Sequence, residues 1–230
     1  MIFLRHNLGL GDHIISNALV RHFCATEEKV NLYCKPHNKP SVQFMYRDLT
    51  NIEIIEHTKE NKNQAGYTKI TYDLKDWDMS KYTRLGLPSS DRWDKFYLER
   101  DLNREKRLFE KYNVNKGEYV FIHDDPNRDF NIPYESDLHV IRPNENQKNN
   151  PFNYEETKTD NIFDYLYLMQ NAKEIHCIDS SFRVMFDSVF NDGDFLPELY
   201  FHVDARTHLF PLHRYPLSHS KLNWNIKNAR

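Results

Sequence analysis

Short apolar runs recur along this chain, and most are followed by a stretch whose apolar positions repeat at helical spacing. The first run, "MIFLR", is bounded by the polar corner "HNLGLGDH" and reads as a buried strand. From Asp12 to Phe23, the residues Ile14, Ile15, Ala18, Leu19 and Phe23 share one helical face. "KVNLYCK" and "IEIIEH" read as the next two strands, with "KPSVQFMYRDL" as a short helix between them. The polar "TKENKNQAGYTK" predicts a loop and "ITYDL" a further strand. "SDRWDKFYLERDLNREKRLFEKYNV" reads as one or two helices, capped by Ser90 or Asp91, with Leu98, Leu102, Phe109 and Tyr112 as a buried stripe.

A second alternation follows. "GEYVFIHDD", "SDLHVIRPN", "EIHCIDSS" and "ELYFHV" read as strands. "TDNIFDYLYLMQNAK" predicts a helix with Asp160 as its N-cap. In "SFRVMFDSVF", Phe182, Met185, Phe186, Val189 and Phe190 form a regular amphipathic face. The stretch "RTHLFPLHRYPLSHSKLNWNIKN" is broken by proline and then helix-compatible. Alternating strands and helices predict parallel sheets. The expected fold class is α/β, with two Rossmann-like units facing across a cleft. Residues 1–90 form the first unit, 91–114 a helical connection, and 115–230 the second unit with a C-terminal tail.

Composition narrows the class. The chain has 230 residues, of which 14% are aromatic and 28% charged, as in a folded globular protein. A formal net charge of −3 gives no electrostatic basis for nucleic-acid binding. Cys24, Cys34 and Cys177 are odd in number and widely spaced, which predicts reduced thiols and no zinc knuckle. No run reaches the length of a membrane helix, and the first residues lack a signal-like pattern. The expectation is a cytoplasmic protein with no integral membrane segment.

The corner "HNLGLGDH" lies where open α/β sheets bind ligands, beyond the carboxyl end of a strand. Gly9 and Gly11 are expected to let the backbone turn sharply and approach a ligand. The pattern is not G-x-G-x-x-G, because Ile14 stands where the third glycine belongs. Asp12 is either the cap of the following helix or a base that accepts a proton from a hydroxyl substrate. His13 either assists it or packs.

"LGLGDHIISNALVRHF" resembles the first strand-to-helix segment of heptosyltransferase-like glycosyltransferases of the GT-B fold. The match covers about the first 25 residues, and the chain is shorter than the usual two-domain enzyme of that fold. The resemblance therefore implies a reduced GT-B architecture, with Asp12 beside the acceptor as candidate base. "YVFIHDDPNRDFNI" with "EIHCIDSSF" is similar to the donor-binding half of GT-B transferases, including fucosyltransferase-like members. What this implies is a nucleotide-sugar donor, a glycan or other hydroxyl acceptor, and protein cations in place of a metal or other cofactor.

Three polar clusters fall at predicted strand ends of the second unit: "IHDDPNRDF", "VIRPNENQ" and "CIDSSFR". A diphosphate leaving group gains negative charge and needs a cation and hydrogen-bond donors. Arg128 is the first candidate cation and Arg142 the second. Ser180 and Ser181 are candidates to hold phosphate, with Ser181 as a simple N-cap the alternative. His123 contacts the sugar or diphosphate or is structural. Asp179 binds a hydroxyl or orients its loop.

Two other classes compete. A metal-dependent phosphohydrolase would use Asp12, His13, His123, Asp124, Asp125 and Asp179, but these are spread over two units with no H-x-H or H-x-x-x-H pair. "DWD" in "KDWDMS" has metal-binding spacing but falls near a loop of the first unit. A non-catalytic sugar or nucleotide binder on the same fold is the other alternative. A serine hydrolase lacks its G-x-S-x-G elbow.

Overall fold

In a computed structural model, residues 1–58, 68–71, 76, 79–125, 130–143, 157–191, 193, 195–203 and 220–227 are described. The chain divides into two compact units, Met1–Glu99 and Arg100–Arg230. Both are α/β, each built on a parallel sheet.

The first unit begins with β1 (Ile2–Arg5), followed by α1 (Leu10–Ile15), α2 (Asn17–Thr26) and β2 (Val30–Cys34). A 3₁₀ turn at Pro36–Asn38 and α3 (Lys39–Met45) lead to β3 (Ile52–Glu56), and β4 is Thr68–Lys69. The strands are all parallel, in the order β3-β2-β1-β4. All five residues of β2 are buried, as expected for a central parallel strand covered on both faces. The chain steps outward from β1 to β3 and then returns to the other side of β1. That reversal puts the topological switch point, the usual ligand crevice of such sheets, between β1 and β4. Two short helices follow, α4 (Ser80–Thr83) and α5 (Asp91–Asp94). Ala18 and Leu19 of α2 pack with Ile70 and Tyr82, and Phe23 and Leu87 flank them.

The second unit opens with α6 (Leu102–Lys111), then β5 (Tyr119–His123) and β6 (His139–Ile141). A 3₁₀ segment, Ile162–Tyr165, runs into α7 (Leu166–Gln170), followed by β7 (Glu174–Cys177), α8 (Ser181–Val189), β8 (Glu198–His202) and β9 (Asn225–Lys227). Again all strands are parallel, in the order β6-β5-β7-β8-β9, so the switch point lies between β5 and β7. Phe121 packs on Tyr165 and Phe182, and Phe109 of α6 on Tyr119 and Tyr167. On the other face Val120, Ile122 and Ile178 form a core with Ile132, closed by Phe130, Tyr134 and Leu138 from the β5–β6 connection and by Val140 of β6.

Several local expectations change. The helix expected from Asp12 to Phe23 is two helices meeting at Ser16, where the Tyr82 hydroxyl donates to the Ile15 carbonyl at 2.6 Å. The strand expected at "ITYDL" is Thr68–Lys69, just ahead of it; residues 72–75 lie outside the described residues. The stretch 91–114 is shared between the units, since α5 packs on α2 and α6 packs on the 3₁₀ segment and α7. Ser90 stands at the N-cap of α5 without a capping bond. The cap of α6 is Asp101, which accepts from Arg104 N at 2.9 Å. Its buried stripe is Glu105, Leu108 and Tyr112, while Leu102 is 47% exposed. Glu105 is buried because Arg100 holds both its oxygens, at 3.0 and 2.5 Å. Asn161, one residue beyond Asp160, caps the 3₁₀ segment through Phe163 N. Near the C-terminus, Asn225–Lys227 is a strand, and residues 204–219 lie outside the described residues. None of the described helices is long and apolar enough to cross a membrane.

Candidate functional site

The corner after β1 turns at Leu8, not at a glycine. Leu8 has φ +54°, and Gly9 N donates across it to Asn7 O at 2.6 Å. A positive φ is strained for a residue with a side chain. Two bonds hold it there: Leu8 N donates to His6 Nδ1 (3.3 Å), and the buried Asn38 donates Nδ2–H to Leu8 O (3.0 Å). Gly9 itself is extended, with φ −72° and ψ 148°. Glycine is needed there for space, because a Cβ would stand 2.8 Å from Asp12 Oδ2. Gly11 lies within the first turn of α1. Gly9→Ala should therefore lose about 1–3 kcal/mol of stability by pushing on Asp12. In an Asp12→Ala/Lys81→Met background, where nothing is pushed, the same change should gain about 0.4–1 kcal/mol. Urea melts of the four proteins check the reversal of sign.

Asp12 is not the cap of α1. It is the third helical residue, and Gly9 occupies the cap position. Its carboxylate reaches Lys81 of α4, with Oδ1 2.7 Å from Nζ. The lysine side chain is wholly buried, whereas the Asp12 side chain is 17% exposed. The accessible member of the pair is thus the carboxylate, and its second oxygen, Oδ2, faces Gly9.

His13 is fully buried, and its Nδ1 lies 2.9 Å from His6 Nε2. The tautomers follow from the bonds. His6 Nδ1 accepts from Leu8 N, so His6 carries its proton on Nε2 and donates to His13 Nδ1. The His13 proton is then on Nε2, a buried N–H with no hydrogen-bond partner among the described residues. Burial first, and Lys81 second, push His13 down to about 3. His6 is held well below its usual range by burial, then by His13 and Lys81. Both rings are neutral at pH 7, and His13 does not reach solvent. It orients the corner instead of exchanging protons with a substrate.

At the switch point of the second unit, β5 ends at His123 and β7 runs into Asp179, Ser180 and Ser181. The two ends are joined by Ile178 N donating to His123 O at 3.2 Å. The His123 ring stacks on Phe182 with centroids 4.3 Å apart. Burial pushes it down to about 3, and its Nδ1 is buried without a partner among the described residues. Ser180, not Ser181, stands at the N-cap of α8; its side chain makes no capping bond, and its Oγ is buried without a partner among the described residues. Ser181 is the first helical residue. A serine that leaves its cap bond unmade leaves first-turn N–H groups unsatisfied beside its own hydroxyl.

The remaining candidates are tied into the protein. Arg142 donates to Asp124 through NH1 and to Ile132 O through NH2 (2.9 Å), so it braces the β5–β6 connection. Asp179 accepts from Arg183 (3.1 Å), and Arg183 is also bonded to the fully buried Asp187 (2.6 Å). Asp187 in turn accepts from Ser220 and Trp224, which ties α8 to the C-terminal segment. Arg128 lies outside the described residues. Among the described residues no group of three or more His, Cys, Asp or Glu is placed to hold a metal ion. Residues of the metal-site alternative also divide between the units, Asp12 and His13 in one, His123, Asp124, Asp125 and Asp179 in the other.

Sequence reasoning missed His6 and Lys81. His6 carried a signal, a second histidine at the same strand end. Lys81 carried none, being 69 residues from Asp12. Also missed was a polar line on the β7–β8 face. There Tyr134 OH and His176 Nε2 both lie 3.0 Å from Glu174 Oε2, and His176 Nδ1 lies 3.0 Å from His202 Nε2. Comparison of the chain with protein-family models, with curated proteins and with solved structures returns no match.

Proposed function

We propose that this protein is a metal-independent glycosyltransferase of reduced GT-B architecture, moving a sugar from a nucleoside-diphosphate sugar to a hydroxyl acceptor. One observation carries the reading: at the switch point of the second unit two buried polar atoms, His123 Nδ1 and Ser180 Oγ, have no partner among the described residues. Each such atom costs about 1–3 kcal/mol unless something partners it, which favours a polar ligand at this crevice. In the second unit the Ser180 hydroxyl and the first-turn N–H groups of α8 suit the donor's diphosphate, and Arg128 would supply the cation.

In the first unit Asp12 is the base. Lys81 holds Oδ1, so the carboxylate has one fixed orientation and Oδ2 is left to receive a proton. As the acceptor oxygen bonds to the anomeric carbon, its proton passes to Oδ2. The bond from that carbon to the diphosphate oxygen breaks, and the nucleoside diphosphate leaves with the electron pair. A positioned base contributes about 10²–10⁴ in rate.

The Lys81 contact also favours a second reading, a non-catalytic nucleotide-sugar binder in which the Asp12–Lys81 pair is purely structural. The double variant Asp12→Asn/Lys81→Met separates them, because it removes the base and the buried cation together. After a thermal-shift screen has identified the donor, transfer should fall about 10²–10⁴-fold in this variant while donor affinity stays within about twofold. Turnover near the wild-type value would remove Asp12 as base. Donor binding with no transfer by either protein would favour the binder.

A further inference from the structure

Away from the switch point, the second unit carries a cavity of about 560 Å³ beside α6. Its lining is charged. Arg104, Arg107, Leu108 and Lys111 come from one face of α6, at the i, i+3, i+4, i+7 spacing that aligns side chains along a helix. Lys158 lines the facing segment, together with Thr159, Asp160 and Asp164.

The two signs are not evenly matched. Both carboxylates are committed to Arg104: Asp164 takes its Nε–H at 2.7–2.8 Å, and Asp160 takes NH2 at 2.8 Å. Asp164 is further held by Asn161 Nδ2 (3.0 Å) and the Thr159 hydroxyl. Arg104 is therefore locked in place with its charge balanced. Arg107 and Lys111 have no carboxylate partner among the described residues. They project along the same helix face, over the buried Leu108. A chain of net charge −3 thus collects cations in one concavity.

We propose that this cavity binds the phosphate group of a small phosphorylated molecule, at a site separate from the switch point. Arg107 and Lys111 supply the charge, and guanidinium groups match phosphate oxygens bidentately. The volume lies in the range of small-molecule sites, roughly 300–1,000 Å³, which suits a phosphate ester or pyrophosphate better than a protein partner. The site does not depend on the glycosyltransferase reading.

Calorimetric titration with inorganic pyrophosphate at low ionic strength tests it, on the wild type, Arg107→Ser/Lys111→Ser, and Ser180→Ala. Both substituted side chains of the double variant lie on the exposed side of α6, so the variant should melt like the wild type. Pyrophosphate should bind the wild type and Ser180→Ala, and bind the double variant at least about tenfold more weakly. Added salt should weaken binding wherever Arg107 and Lys111 are present. No binding by the wild type, equal affinity in the double variant, or loss of all binding in Ser180→Ala would each overturn the proposal.

Discussion

Between pH 6.5 and 4.5 the second unit should lose on the order of 5 kcal/mol of stability through His123 and His202 alone. The His202 ring is buried, the His123 residue is half-buried with its Nδ1 enclosed, and both rings are neutral. Burial pushes His123 down to about 3, and burial with the charges of His176 and Lys227 pushes His202 down to about 4. The unfolded chain takes up a proton at each ring near the ordinary value of 6.5, while the folded chain does not. Their contribution is therefore complete above 6.5 and is lost as pH falls from 6.5 towards 4 and 3. Each ring accounts for about 1.4 kcal/mol per pH unit in that window. His176, also held low by burial, acts in the same direction, as do His6 and His13 in the first unit. Domains have only about 5–15 kcal/mol to lose, so unfolding in mild acid is the expected outcome. Urea melts at stepped pH measure it. His123→Leu keeps an apolar contact for Phe182 and should flatten the pH dependence by about 1.4 kcal/mol per unit. Stability independent of pH between 6.5 and 4.5 would show that the rings are not held neutral.

Asp12→Ala should cost about 3–5 kcal/mol, and Lys81→Met about 1 kcal/mol or less. The asymmetry follows from burial. Lys81 is wholly enclosed, and removing Asp12 takes away the carboxylate set against its charge. Removing Lys81 leaves a carboxylate that still reaches water, and methionine fills nearly the same volume. From sequence alone, a cap or base at Asp12 would lead one to expect little loss on Asp12→Asn. The buried lysine changes that expectation, because the neutral amide also takes the Asp12 charge away from the buried cation. Asp12→Asn/Lys81→Met should then be more stable than Asp12→Asn, and denaturant melts of all four proteins measure the cycle. Lys81→Met costing more than Asp12→Ala would mean that the pair is not organised around a buried cation.

The strands were legible wherever a short apolar run was bounded by turn residues. β1, β2, β3, β5, β6, β7 and β8 all fall within such runs, and their alternation with helices led to parallel sheets. β4 and β9 were not, because a two-residue strand and an exposed edge strand carry little apolar pattern. Caps were misplaced by one residue where adjacent polar groups compete. Ser180 precedes Ser181, Asn161 follows Asp160, and only backbone dihedrals separate the choices. At the first corner the glycines drew attention from Leu8, whose positive φ depends on His6 and on Asn38, 30 residues away. Strand order, and with it both switch points, is a tertiary property. The polar clusters at strand ends could be located from the chain, but which ends are neighbours could not.

The central claim is that the second unit's switch point takes the diphosphate of a nucleotide. Titration of the wild type and Ser180→Ala with nucleoside diphosphates, followed by calorimetry, tests it most directly. Ser180 Oγ is buried with no partner among the described residues, so alanine should fold normally and remove one donor to phosphate. The account predicts that at least one nucleoside diphosphate binds the wild type and binds Ser180→Ala about 10–100-fold more weakly. Equal affinity in the two proteins, or no binding by the wild type, would contradict it.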